Sequence, residues 1–184
     1  MIASQDHSVC TCPSGGSTST PLKFSAAPEP RRVLEHVYHA DMAIPLPDDV
    51  RALFDAPNYV HLSTLRADGS PRNWVVWVGV EGDHLLVCTG NATWKARDMS
   101  RDPRVGMSVT DLANPYRMAA VQGRVVEVRP DEDCRYMDPI SVKYTGVPFP
   151  SRGPGRVCFV IAIEKAGQRT LGFTHSPGGD QSGT

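Results

Sequence analysis

Lysine is scarce in this chain. Of 184 residues only Lys23, Lys95, Lys143 and Lys165 are lysines, and Lys plus Arg (19) are outnumbered by Asp plus Glu (20). The formal net charge of −1 removes any global electrostatic argument for nucleic acid or an anionic membrane surface. Long apolar runs are missing as well. No stretch approaches the ~20 consecutive apolar residues that span a bilayer. Met1-Ile-Ala-Ser-Gln-Asp6 lacks the basic and apolar segments of a secretory signal. Cysteine is present without a pattern: Cys10, Cys12, Cys88, Cys134 and Cys158 are odd in number. No second pair at zinc spacing joins His7, Cys10 and Cys12, so no metal site is expected. Reduced thiols fit a cytoplasmic protein. There are no internal repeats, and no Ser-His-Asp order, nucleophile–base pair or carboxylate pair of recognisable spacing.

What is there is an ordinary globular composition, 40% hydrophobic and 21% charged. Residues 1–30 are rich in Ser, Thr, Gly and Pro and read as a flexible tail, residues 31–174 as one domain, and residues 175–184 as a polar tail. Within 31–45, Val33, Leu34, Val37 and Tyr38 suggest a short turn docking on that domain. Pro47–Phe54 predicts a helix, with Pro and acids in its first turn. Tyr59–Arg66, Asn73–Val80 and His84–Thr89 predict three antiparallel strands in a meander, turning at Asp68-Gly69 and Glu81-Gly82-Asp83. A helix at 92–101 and strands over 104–110 and 116–128 follow, Gly123 marking a bulge or barrel corner. Asp131–Tyr144 reads as a helix kinked at Pro139. Val157–Ile163 is a core strand and Gln168–Phe173 an edge. Such a succession suggests a closed or partly closed barrel. A small barrel fills with its own side chains, so a bulky ligand would lie in an outer groove covered by a second copy of the chain.

The most informative stretch is Thr89–Pro103, where a strand turns through Gly90-Asn91 into a short helix. Thr89, Asn91, Thr93, Lys95 and Arg97 gather near the helix start, where unsatisfied N–H groups and the helix dipole favour an anion. Hydroxyls and cations there suit a phosphate. A solvated basic helix face would look similar. Trp74 and Trp77, three apart on one strand, point to opposite faces, which puts one in the barrel and the other on an outer groove or a dimer interface. Asn114, Tyr116 and Arg117 form a second polar cluster, readable as a plain turn or as a loop reaching a ligand. His61 is a lone strand histidine.

These residues together resemble the pyridoxamine 5′-phosphate oxidase-like split-barrel family, from about Pro47 to Ile163. The landmarks are Leu62-Ser-Thr-Leu-Arg-Ala-Asp-Gly-Ser-Pro71, Trp74-Val-Val-Trp77, Lys95-Ala-Arg-Asp-Met-Ser-Arg-Asp-Pro-Arg104, Asn114-Pro-Tyr-Arg117 and Gln122-Gly-Arg-Val-Val-Glu127. Lys143-Tyr-Thr-Gly with Pro148-Phe-Pro150 completes them. The branch the chain looks most like is the F420-dependent one. The resemblance implies a mainly β fold, a six-stranded antiparallel split β-barrel that forms a homodimer with two cofactors between protomers. It implies cofactor contacts from Ser63, from Asn73, Trp74, Val75, Val76 and Trp77, from Thr89, Asn91, Thr93, Trp94, Lys95 and Arg97, and from Asn114, Tyr116 and Arg117. The tricyclic ring would rest on the Asn73–Val78 strand and the phosphate on Thr93, Lys95 and Arg97. The family's flavin oxidases carry an Arg-Lys pair where Trp94-Lys95 stands, and Arg and Lys where Asn73 and Val78 stand. Those departures lean toward coenzyme F420 over FMN.

The functional expectation is therefore an oxidoreductase passing a hydride between F420, or FMN as the alternative, and a small unsaturated or aromatic molecule. No catalytic side chain is assigned, because the hydride chemistry belongs to the cofactor. A non-catalytic carrier of the same cofactor is the competing expectation.

Overall fold

The computed structural model describes residues 43–174. The tails expected over 1–30 and 175–184, and the turn expected around Val33 to Tyr38, lie outside the described residues. Helix α1 (Asp48–Asp55) opens the fold. Pro47 presets its entry, Asp48 and Asp49 face the positive end of the dipole, and Val50, Leu53 and Phe54 bury one face. Strands β1 (Val60–Leu65) and β2 (Pro71–Val76) form a hairpin in which Gly69 takes a φ of +82°. Strands β3 (Gly79–Glu81) and β4 (His84–Gly90) pair across a tight turn. Helix α2 (Trp94–Arg101), β5 (Arg104–Thr110), β6 (Arg117–Pro130), α3 (Met137–Thr145) and β7 (Arg156–Thr170) complete the order.

Every strand pairing is antiparallel, in the order β2-β1-β5-β6-β7-β4-β3. The two edge strands, β2 and β3, are separated in the chain by Trp77 and Val78 alone. The sheet therefore curls until its edges meet at that link, and the barrel is split there. This corrects the expected three-strand meander. The single strand predicted over 73–80 pairs through its first half with β1 and through its second half with β4, so six expected strands are counted as seven. The reason is geometric: closing a barrel shears the hydrogen-bond register, and the strand that closes it leaves one neighbour before it reaches the other.

Alternating residues fill the interior, among them Leu62, Val78, Leu85, Val87, Met107 and Ile161, with α1 plugging one end. Gly123 falls where β6 shifts register against β7. A Cβ at Gly123 would lie 2.5 Å from the Ala162 carbonyl oxygen, so the predicted bulge requires glycine. The outer face of β4 and β7 carries a second cluster, including Leu86, Cys158 and Val160, covered by Cys134, Met137 and Ile140. Helix α3 is shorter than predicted. Residues 131–136 are turns and irregular chain, with Cys134 at φ +61°, and Pro139 sits in the first helical turn, where a missing N–H costs nothing. The two strands predicted near the end are one, β7, running on to Thr170. Among the described residues no helix is long and apolar enough to cross a membrane.

Candidate functional site

Thr93 caps α2. Its hydroxyl accepts from the Ala96 N–H (3.3 Å) and donates to the Gly90 carbonyl (2.8 Å), with the Thr89 hydroxyl 3.2 Å away. Asp98 pins the helix to the barrel wall. It is 2% exposed, accepts from the Thr64 hydroxyl (3.1 Å) and faces Arg101 (3.0 Å) and Arg72 (3.2 Å). Trp74 packs against the barrel core and donates its indole N–H to the Thr64 hydroxyl at 3.2 Å. Lys95 stands with its ammonium 5.3 Å from the Trp74 ring centroid. Burial pulls its pKa below the ordinary lysine value, and no carboxylate pairs with it among the described residues.

Lys95 borders a groove of about 410 Å³. Tyr59, Val75, Val76 and Trp77 contribute an apolar wall, Thr89, Gly90 and Arg156 join Lys95 at a polar one, and Cys88, Met137 and Phe149 complete the lining. The division of the two tryptophans is as predicted: Trp74 joins the barrel core and Trp77 the outer cluster. Trp77 stacks on Tyr144 (5.1 Å, 7°), and Tyr144 meets Tyr59 at 6.1 Å. Val75 is left 63% exposed, an apolar side chain awaiting cover. The Cys88 thiol is held protonated: contact with Cys158, then burial and the nearby Asp131, push its pKa far up. It is no nucleophile.

Arg156 is the residue that sequence reasoning missed. It lies directly across the β4–β7 ladder from Gly90. Its guanidinium sits 4.5 Å over the Phe149 ring, and its Nε is buried without a hydrogen-bond partner among the described residues. Only strand pairing brings it to Lys95. The one local signal was its place at the end of a Pro- and Gly-rich loop, opening an apolar strand. Gly155, at φ +81°, accepts from the Asn91 N–H (2.7 Å), and a Cβ there would lie 3.1 Å from the Asn91 side-chain oxygen. Asn91 thus locks the β7 start to the turn that precedes α2.

The other expected site residues fall outside the groove lining in the single chain. Trp94 is 59% exposed, flanked by Arg72 (5.0 Å) and Arg97 (5.2 Å). Ser63 donates to the Asn73 side-chain oxygen (2.7 Å) on the outward face of β1 and β2, where Ser63 borders a separate depression of about 400 Å³ with Gly106, Ser108 and Ala120. Asn114, Tyr116 and Arg117 shape the β5–β6 turn. Asn114 accepts from the backbone N–H groups of Tyr116 and Arg117, Arg117 pairs with Asp111 (3.4 Å), and Tyr116 meets Phe173. His61 is exposed on β1. Among the described residues no group of three or more His, Cys, Asp or Glu is arranged to hold a metal ion.

The sequence profile of pyridoxamine 5′-phosphate oxidase matches residues 46–170, the whole barrel, and the chain belongs to this family. A solved structure described as an F420 reductase is 30% identical, with a TM-score of 0.60 over 66% of this chain and 98% of its own. A conserved hypothetical protein from Mycobacterium tuberculosis (19% identical, TM-score 0.58, 73% of this chain and 92% of that one) shares the fold. So does general stress protein 26 from Bacillus anthracis (17%, 0.52, 66% and 91%). No curated protein sequence matches significantly. The fold is that of the family's flavin-type oxidoreductases.

Proposed function

We propose that the groove takes a phosphorylated flavin-type cofactor, F420 foremost, and that the protein is an oxidoreductase moving a hydride between it and a small unsaturated or aromatic molecule. One observation carries this reading: a single groove joins an aromatic and apolar wall to two cations, Lys95 and Arg156, that lack an anionic partner among the described residues. The capped end of α2 adds its unsatisfied N–H groups to the same region. A flat ring would lie along Val75–Trp77 and a phosphate between Lys95 and Arg156. The bound cofactor supplies the hydride chemistry; the chain binds, orients and keeps water out. Among the described residues no carboxylate lines the groove, and its thiol stays protonated, so little acid–base help is expected from them.

The preference for F420 rests on the likeness to an F420 reductase and on Trp94, Asn73 and Val78 standing where the flavin oxidases of the resemblance carry cations. FMN is the second reading. Arg156 favours it, because a phosphate monoester carries about −1.5 to −2 charge at neutral pH and suits paired cations. In our reading the domain spans 31–174 between two tails, and two copies of the chain cover each other's grooves. Support for that dimer is the exposed face where Ser108, Ala120 and Gly167 line up across β5, β6 and β7, leaving room for close approach.

Titration of the protein with F420, FMN and riboflavin, followed by ligand fluorescence, tests this. Lys95→Ala is expected to weaken both phosphorylated ligands by about 1.5–3 kcal/mol, roughly tenfold or more, and to leave riboflavin unchanged. Equally weak binding by wild type and variant rejects the phosphate site. Tight F420 binding without turnover of enones or quinones favours a carrier.

A further inference from the structure

The link that splits the barrel has lost its ladder, and its backbone groups must be satisfied elsewhere. Both polar groups of Val78 go to α3. Its N–H donates to the Tyr144 hydroxyl (3.3 Å), and its carbonyl accepts from the Lys143 ammonium (2.5 Å). Lys143 also donates to the Phe54 carbonyl (2.7 Å) at the C-terminal end of α1, a helix with no basic residue in its own last turn. Tyr144 donates onward to the Asn58 carbonyl (2.7 Å). Two neighbouring residues of α3 therefore grip one residue of the barrel from both sides and tie it to the end of α1.

That grip lies beside the groove. Trp77, which precedes Val78, stacks on the Tyr144 ring with planes 7° apart and presents itself to the groove wall. With Trp77 and Val78 both outside the ladder, strand pairing does not fix the plane of the Trp77 indole. We propose that Lys143 and Tyr144 are positioning residues for the groove: they fix the β2–β3 link and the plane of Trp77, and so set the affinity for a flat ligand. This rests on the proposed function, since it assumes that a flat ring is what the groove holds.

Tyr144→Phe keeps the ring stack and removes the hydroxyl's bonds, Lys143→Met keeps the stem and removes the ammonium, and Tyr144→Leu removes the stack. Each is expected to weaken FMN and F420 at least fivefold at temperatures where far-ultraviolet circular dichroism matches wild type. Val121→Ala, in the β6 core away from the groove, supplies a variant of matched melting temperature and is expected to bind as wild type does. A ligand-free readout uses a Trp74→Phe/Trp94→Phe background, which leaves Trp77 as the single indole of the chain. There Tyr144→Leu is expected to shift emission to the red and at least double iodide quenching. Unchanged emission, unchanged affinity in Tyr144→Phe, or an equal loss in Val121→Ala overturns the positioning role. A wild type that binds neither ligand overturns the cofactor reading and this role's effect on affinity together. Affinity intact in wild type and in all three α3 variants overturns the positioning role alone.

Discussion

Cys88 carries a pH dependence that can be isolated. In the unfolded chain its thiol ionises near its ordinary pKa of 9.0, whereas in the fold its contact with Cys158, burial and Asp131 hold the proton on well above that. The folded state then binds more protons than the unfolded one above pH 9. The stability it contributes is fully present below that pH and is lost as pH rises, by at most about 1.4 kcal/mol per pH unit. Urea midpoints between pH 8 and 10.5 should fall less steeply for Cys88→Ala than for wild type, and parallel slopes would refute the assignment. Single residues were legible in the sequence where their signal was local. Lys95 stood out beside a strand-turn-helix, and Trp74 and Trp77 were divided correctly by their spacing. Arg156 was not legible, because its partner across the ladder is Gly90, far away in the chain. Thr93 was read as a phosphate contact; its hydroxyl also caps α2.

Helix α2 is held by a polar contact as well as by buried Ala96 and Met99. Asp98 sits at 2% exposure between Thr64, Arg72 and Arg101, and Arg72 has a buried guanidinium nitrogen that already lacks a hydrogen bond among the described residues. Removing the carboxylate leaves Arg72 uncompensated. Asp98→Ala is therefore expected to cost about 1–3 kcal/mol, less than breaking a fully buried pair because water reaches Arg72 and Arg101. Because α2 also carries Lys95, affinity for phosphorylated ligands should drop with it, while Asp98→Asn keeps the Thr64 contact and loses less of both. Thermal melts beside FMN titration check this; an alanine variant as stable as wild type would show that α2 is held some other way. The elements themselves were largely legible, since α1, the β1–β2 hairpin, α2 and β5 each announce themselves by period and turn chemistry. The β2–β3 break and the late start of α3 were not. The first answers to barrel closure, and the second to a proline that suits a first turn as well as a kink.

At the scale of the whole molecule, local patterns indicated a barrel, and the family resemblance made it a split one. Neither located the split at Trp77–Val78, because only the full strand order makes β2 and β3 opposite edges of one sheet. The same closure leaves one outward face with small residues across its centre. His61, Ser108, Ala120 and Gly167 form one row across β1, β5, β6 and β7, and Ser63, Gly106, Gln122 and Lys165 the next. A second copy of the chain can approach the backbone closely over Ser108, Ala120 and Gly167, where a side chain as large and charged as arginine would hold the copies apart. Ser108 is exposed in the single chain, so Ser108→Arg should shift the stability of the barrel by no more than about 0.5 kcal/mol. In the proposed dimer it should halve the mass measured by light scattering and weaken F420 and FMN, because the groove loses its cover and Val75 its neighbour. If the wild type already runs as a monomer, or Ser108→Arg remains a dimer with its affinity intact, then this face is not the one that joins two copies over the groove.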